Sequence, residues 1–255
     1  MYNSIQDTLI IGKKVIYLPS CHSTNDIAAE IVRAGLFAEG TIVITDNQIK
    51  GRGQRGTVWL ASPGENLTFS VILSPSFVAV SAQFLISQVI ALSIRDYLGQ
   101  YVQNVKIKWP NDIYVNNRKV CGILIENSVQ GSRIASSVVG IGLNINQLEF
   151  VNDNATSLSK ETGNIFVLTE EFQKVLKCLD INYQKIKSLW KHNDLRLEYL
   201  RNLYGYNETV TFKYQNQIVK GTVKGVSPIG QILVKLETVP EILELGLKEI
   251  EWIIQ

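Results

Sequence analysis

Apolar and polar positions along the first half of the chain alternate in short runs, with longer periodic stretches between them. Residues 14–18 (K-V-I-Y-L) read as a strand stopped by Pro19 and Ser20. A helical pattern follows with Ile27, Ile31 and Leu36 near one face; Ser23 with Asp26 makes a capping-box-like start, and Gly35 a stop. Residues 40–45 and 66–73 read as two paired strands with a long connection between them. Over residues 78–99, Phe84, Leu85, Val89, Leu92 and Ile94 fall at the spacing of a buried helix. Short strands are predicted over 105–108, 113–115, 119–126 and 133–144, with Asn116-Asn117 as a hairpin turn. From 170 to about 204 the period is helical again. Phe172, Val175, Leu176, Leu179, Tyr183, Ile186 and Trp190 form a stripe best read as core, and Gly205 ends it. The last fifty residues change character, with strand candidates at 208–212, 218–223, 232–236 and 246–252.

Strands in succession around two or three helices predict an α+β domain with a mixed or antiparallel sheet. Repeated short strands in so little chain predict a small appended β-barrel. The expected division is 1–205 and 206–255. Composition adds little to this picture: hydrophobic residues at 45%, charged at 19% and a net charge of +2 describe an ordinary globular protein. That charge is too small for a general nucleic-acid or membrane surface, so any positive charge used for binding is local. Cys21, Cys121 and Cys178 are widely spaced without a C-x-x-C, which fits a reducing compartment and no structural zinc. Two histidines, His22 and His192, argue against a histidine metal cluster or a Ser-His-Asp triad. No signal peptide is visible, and no apolar run nears the ~20 residues of a membrane span. The expected compartment is the cytoplasm.

Candidate chemistry concentrates in residues 46–59, D-N-Q-I-K-G-R-G-Q-R-G-T-V-W. Gly51, Gly53 and Gly56 let backbone approach a ligand, and Lys50, Arg52 and Arg55 add the charge that an anion such as phosphate requires. The spacing is a literal G-x-G-x-x-G, but a dinucleotide fingerprint needs a helix after the glycines, and a second strand follows here instead. A basic hairpin loop without a ligand and an Arg-Gly segment that binds RNA are the other readings of this stretch alone. The second constellation is Lys108-Trp109-Pro110-Asn111-Asp112, where Pro110 breaks a strand beside several polar groups. Alone, it also reads as a plain Asn-Asp turn. Lys119, on an otherwise apolar hairpin strand just before Cys121-Gly122, is either an exposed edge lysine or a functional one.

Together, G-R-G-Q-R-G (51–56), K-W-P-N-D (108–112), R-K-V-C-G-I-L-I-E (118–126) and G-I-G-L-N-I-N (140–146) resemble the biotin protein ligases in order and spacing. The resemblance covers roughly residues 12–255. It implies a mixed sheet packed with helices, of the class II aminoacyl-tRNA synthetase-like, biotin-lipoate ligase catalytic type, followed by a small C-terminal SH3-like β-barrel. It also implies attachment of biotin to a lysine of a biotin carboxyl carrier protein of acetyl-CoA carboxylase or another biotin-dependent carboxylase. ATP and Mg2+ would be co-substrates, with no tightly bound metal, no DNA and no membrane partner. Because the catalytic pattern starts within the first twenty residues, the chain resembles the monofunctional type without an N-terminal DNA-binding domain. A homodimer through a sheet edge is common in the family.

The family's chemistry brings a carboxylate to a polyphosphate to make biotinyl-5′-AMP, so the demand is for positioned positive charge. Two like charges about 4 Å apart repel by about 4 kcal/mol at an effective dielectric of about 20. Lys119 matches the lysine that bridges carboxylate and phosphate, and Arg52 the loop arginine that clamps the reacting groups. By resemblance Ser23, Thr24 and Gln48 bind the biotin head group or its chain, with Asn25 and Gly51 in the same set. Gly122, Gly140 and Gly142 let backbone approach the bicyclic ring. Arg55, Lys108, Asn111 and Asn144 fall to the nucleotide with Arg52, and Trp59 to a stack on adenine. Asp112 supports this edge or assists the metal. Gln54 departs from the pattern: some members carry an arginine there that helps retain the adenylate. Either Arg55 or Lys50 substitutes, or the intermediate leaves more readily. A lipoate ligase and a non-catalytic binding module are the alternative readings.

Overall fold

The computed structural model describes residues 2–187 and 192–253. Its centre is a seven-stranded mixed sheet in the order β1-β2-β3-β7-β6-β5-β4. Strand β1 (Val15–Cys21) runs parallel to β2 (Thr41–Gln48), which requires a crossover; helix α1 (Thr24–Arg33) supplies it. Every other pair is antiparallel. β3 (Leu67–Leu73) lies between β2 and β7 (Arg133–Leu143), as the expected pairing across residues 49–66 requires. β4 (Val105–Lys108), β5 (Asp112–Val115) and β6 (Arg118–Gln130) form successive hairpins. At the β5–β6 turn, Asn116 and Asn117 have φ of 47° and 65°, the paired left-handed conformation of a tight two-residue turn.

β3 is buried along its whole length because both faces of the sheet are covered. Val43, Ile72 and Val138 point to one side and pack with Ala28, Ile27 and Ile31 of α1. The alternate residues, Ile42, Ile44, Phe69 and Val71, join the main core. That core also contains α2 (Phe84–Leu98) and α4 (Leu168–Ile186). The α4 stripe is buried from Phe172 to Ile186; Trp190, its expected continuation, lies outside the described residues.

Several boundaries differ from expectation. The helix predicted from residue 78 begins at Phe84, because tertiary bonds take the preceding segment: Val80 N–H donates to Ser132 O, and Ile134 N–H to Val78 O. The long helical run divides into α4 and α5 (His192–Asn202). Helix α3 (Leu158–Thr162) was not foreseen; Ser157 caps its start and Gly163, at φ 75°, its end.

The last fifty residues form a five-stranded antiparallel sheet. Its strands are β8 (Thr209–Tyr214), β9 (Gln217–Val226), β10 (Ile232–Leu236), β11 (Ile242–Leu245) and β12 (Ile250–Ile253), in the order β11-β10-β9-β8-β12. Among the contacts that seat this unit on the larger one, Trp109 Nε1 donates to Gly230 O at 2.8 Å, and Phe84 N–H, at the start of α2, to Pro228 O at 3.2 Å. The sequence around 246–252 does not run as one strand, since Lys248 turns the chain at φ 73°.

Candidate active site

The connection between β2 and β3 is a hairpin arm. Its base is stitched to the turn before α1, with Ile49 N–H donating to Cys21 O (2.9 Å) and Lys50 N–H to His22 O (2.8 Å). Within the arm, Trp59 N–H donates to Gly51 O (3.0 Å) and Gly53 N–H to Thr57 O (2.7 Å), and Gln54–Gly56 make the 3-10 turn at its tip. Gly51 is buried between the two limbs and does not line the cavity below, because its place is taken up in holding Trp59.

Under the arm lies a cavity of about 350 Å3. One end is polar. Ser23 caps α1 and also lines the cavity, so the cap and the site share one residue. Thr24 N–H donates to Gln48 Oε1 at 2.9 Å, with the Thr24 hydroxyl 3.3 Å from the same atom. The Ser70 hydroxyl lies 2.8 Å from Thr24 Oγ1 and 2.6 Å from Asn25 Oδ1. Asn25 is thereby pressed onto β7: a β-carbon on Gly140 would stand 2.3 Å from Asn25 Oδ1.

The floor of the cavity is occupied by the chain itself. A β-carbon on Gly142 would lie 2.3 Å from Trp59 Cε2, and one on Gly122 2.9 Å from Trp59 Cζ3. By resemblance these glycines face a ligand ring and Trp59 a base. In this structure the indole lies on the glycines, and at Gly140 the clearance holds Asn25. Trp59 Nε1 is buried without a hydrogen-bond partner among the described residues.

Lys119 and Arg52 line the same cavity, each beside a carboxylate. Lys119 Nζ stands 2.7 Å from Asp112 Oδ1 and 5.5 Å from the Trp59 ring centre. Arg52 Nη2 stands 2.7 Å from Asp26 Oδ1 and 3.0 Å from Glu126 Oε2. Asn111 also lines the cavity and donates from Nδ2 to Ile123 O at 2.7 Å, fixing the sheet edge beside Asp112.

Two residues expected at the nucleotide do not line this cavity. Lys108 reaches Tyr114 instead, with Nζ 3.2 Å from the hydroxyl and 4.9 Å from the ring centre; burial pushes its pKa down. Asn144 is buried and braces the end of β7, its Nδ2 donating to Thr156 O at 3.0 Å. The side chain of Arg55 lies outside the described residues. No three of His, Cys, Asp and Glu converge among the described residues, and Asp112 faces Lys119.

The structure adds Asp26, Ser70 and Glu126 to the site. Ser70 had a readable signal: with Thr68 it places two polar groups on one face of an otherwise apolar, fully buried strand, where each needs a partner. Glu126 ends a motif already singled out. Asp26 had none beyond its capping position.

Comparison with known proteins gives one consistent answer. Residues 17–144 match the biotin/lipoate A/B protein ligase family. The bifunctional ligase/repressor BirA of Bacillus subtilis is 32% identical over 200 residues, covering 72% of this chain and 60% of its own length. The biotin–[acetyl-CoA-carboxylase] ligase of Paracoccus denitrificans is 30% identical over 222 residues, covering 83% of this chain and 91% of that protein. Among solved structures, the biotin protein ligase of Aquifex aeolicus in complex with biotin and ATP aligns with a TM-score of 0.77 at 29% identity, over 94% of this chain and 98% of that one. The chain spans about 60% of the length of the BirA relatives it matches. No helix among the described residues is long and apolar enough to cross a membrane.

Proposed function

The chain belongs to the biotin/lipoate A/B protein ligase family, and from that premise we propose that it attaches biotin to a lysine of a biotin carboxyl carrier protein, at the expense of ATP. In the first step a biotin carboxylate oxygen attacks the α-phosphorus, the bond to pyrophosphate breaks, and biotinyl-5′-adenylate remains. In the second, a lysine amine of the carrier attacks the acyl carbon and AMP departs with the oxygen. The observation that carries this reading is the convergence of Lys119 and Arg52 on one cavity that the Ser23, Thr24 and Gln48 polar cluster also lines.

Lys119 serves the first step by sitting between carboxylate and phosphate, where it offsets the repulsion of the two anions. Asp112 keeps its ammonium in place until they arrive. Arg52 grips the same groups from the arm. Thr24 and Gln48 meet the polar ureido end of biotin, while the Trp59 indole turns off the Gly122 and Gly142 floor to admit the ring. Magnesium, arriving with the nucleotide as a co-substrate, would supply charge neutralisation at the pyrophosphate. In this reading residues 1–205 are the catalytic domain and 206–255 a small accessory domain. The enzyme works in the cytoplasm and pairs through a sheet edge.

Biotin-dependent ATP–pyrophosphate exchange, followed by mass spectrometry of a carrier domain incubated with enzyme, biotin, ATP and magnesium, tests the proposal. Exchange with biotin and a biotin-sized mass gain on the carrier are expected. Exchange with lipoate alone, or with neither acid, would overturn it.

A further inference from the structure

The ion pairs of Arg52 join three separate elements. Arg52 stands on the arm, Asp26 in the first turn of α1, and Glu126 on β6. Among the described residues these contacts use one nitrogen: Nη2 is 2.7 Å from Asp26 Oδ1 and 3.1 and 3.0 Å from the two Glu126 oxygens. The guanidinium is thereby tied to α1 and β6 through one amino group, with Nε and Nη1 outside these contacts. Glu126 is itself oriented, since its Oε2 accepts from Asn25 Nδ2 at 2.8 Å, and Asn25 is pinned in turn by Ser70.

The geometry points to Asp26 and Glu126 as positioning residues that latch the arm shut through Arg52 and present the other edge of its guanidinium to the cavity. The inference rests on the biotin-adenylate reading above and assigns what governs retention of that intermediate. A cation already in place needs no reorganisation when the anions enter. To release the adenylate, the arm must open and the latch must part. The three side chains are 35% to 43% exposed, so the latch is a partly solvated one, sensitive to salt, and able to open on the time scale of turnover. It therefore sets how long the adenylate stays more than how tightly the biotin ring binds.

Asp26→Asn is the clean test. It removes one carboxylate yet keeps the backbone N–H that Ser23 accepts at the helix start. Adenylate dissociation is followed after loading with biotin and ATP–magnesium, alongside kcat and KM for biotin-dependent pyrophosphate exchange, at low and high salt. Asp26→Asn should raise the adenylate off-rate about tenfold at low salt, leave KM for biotin within about twofold, and flatten the salt dependence seen in the wild type. Asp26→Glu should restore part of the retention. Asp7→Asn, which removes the same charge from an exposed pair with Lys177, should behave as wild type. An Asp26→Asn off-rate equal to wild type at both salts, in an enzyme with normal exchange, overturns the latch and leaves the functional reading standing. A wild-type protein without biotin-dependent exchange overturns that reading, and the latch with it.

Discussion

Lys119 and Arg52 reach one cavity on very different supports. Lys119 has a neighbour on each side: it lies opposite Tyr114 of β5, while its N–H donates to Asn154 O (2.7 Å) and its C=O accepts from Thr156 N–H (2.8 Å). Its ammonium partner, Asp112, belongs to the adjacent strand. Arg52 pairs in backbone only with Val58 of its own arm, and its charge partners lie on α1 and β6. One cation thus stands on the sheet, while the other stands on the arm. Under the proposed function, the fixed charge would serve the making of the acyl-phosphate bond and the carried charge its protection from water.

The sharpest way to break that comparison is to delete each charge. Lys119→Ala should lower biotin-dependent pyrophosphate exchange by about a thousandfold, the upper range for losing one preorganised transition-state donor. Unaltered exchange would remove Lys119 from the chemistry. Arg52→Ala should cost less in exchange, about tenfold, yet speed adenylate loss by about a hundredfold, since arm and clamp fail together. Two variants that lose exchange and retention in the same proportion would show that fixed and carried charge are not distinct.

A second probe concerns the arm's apolar anchor. Ala at 142 would put its β-carbon into the Trp59 indole, so the ring must leave the floor or the strand must shift. Overpacking of this kind typically costs about 1–3 kcal/mol. If the ring leaves, the arm amides Gly53 and Trp59 should exchange hydrogen about tenfold faster in Gly142→Ala while β3 amides keep their protection. Uniformly faster exchange would mean that the sheet, not the arm, yields.

How far this arrangement was legible depends on the kind of contact. The β2–β3 pairing and the Asn116-Asn117 hairpin follow from period and turn chemistry, both local. Helix α3 has five residues and β11 four, too few for a period to declare itself. The start of α2 was overridden by bonds to residues 132–134, which no local rule reports. At the site, residue types named the cations, but not the carboxylates that hold them. Glycines announce close approach without saying of what: Asn25 and Trp59 fill spaces that the family resemblance gives to a ligand.

The smallest expected effect belongs to Gln54, at the tip of the arm, where it lines both the main cavity and a neighbouring one at the seam with the small β domain. Its carbonyl already accepts from Thr57 N–H, so the backbone turn does not depend on its side chain. An arginine there would add a second carried charge without altering the fixed one. Gln54→Arg should therefore slow adenylate loss by about three- to fivefold at low salt and leave the rate of synthesis within about twofold, with the gain shrinking as salt screens it. Single-turnover synthesis and adenylate dissociation, measured on the same preparation, separate the two. A variant that makes adenylate faster but holds it no longer would mean that the arm's charge acts on bond formation, and the division of labour between Lys119 and Arg52 would have to be redrawn.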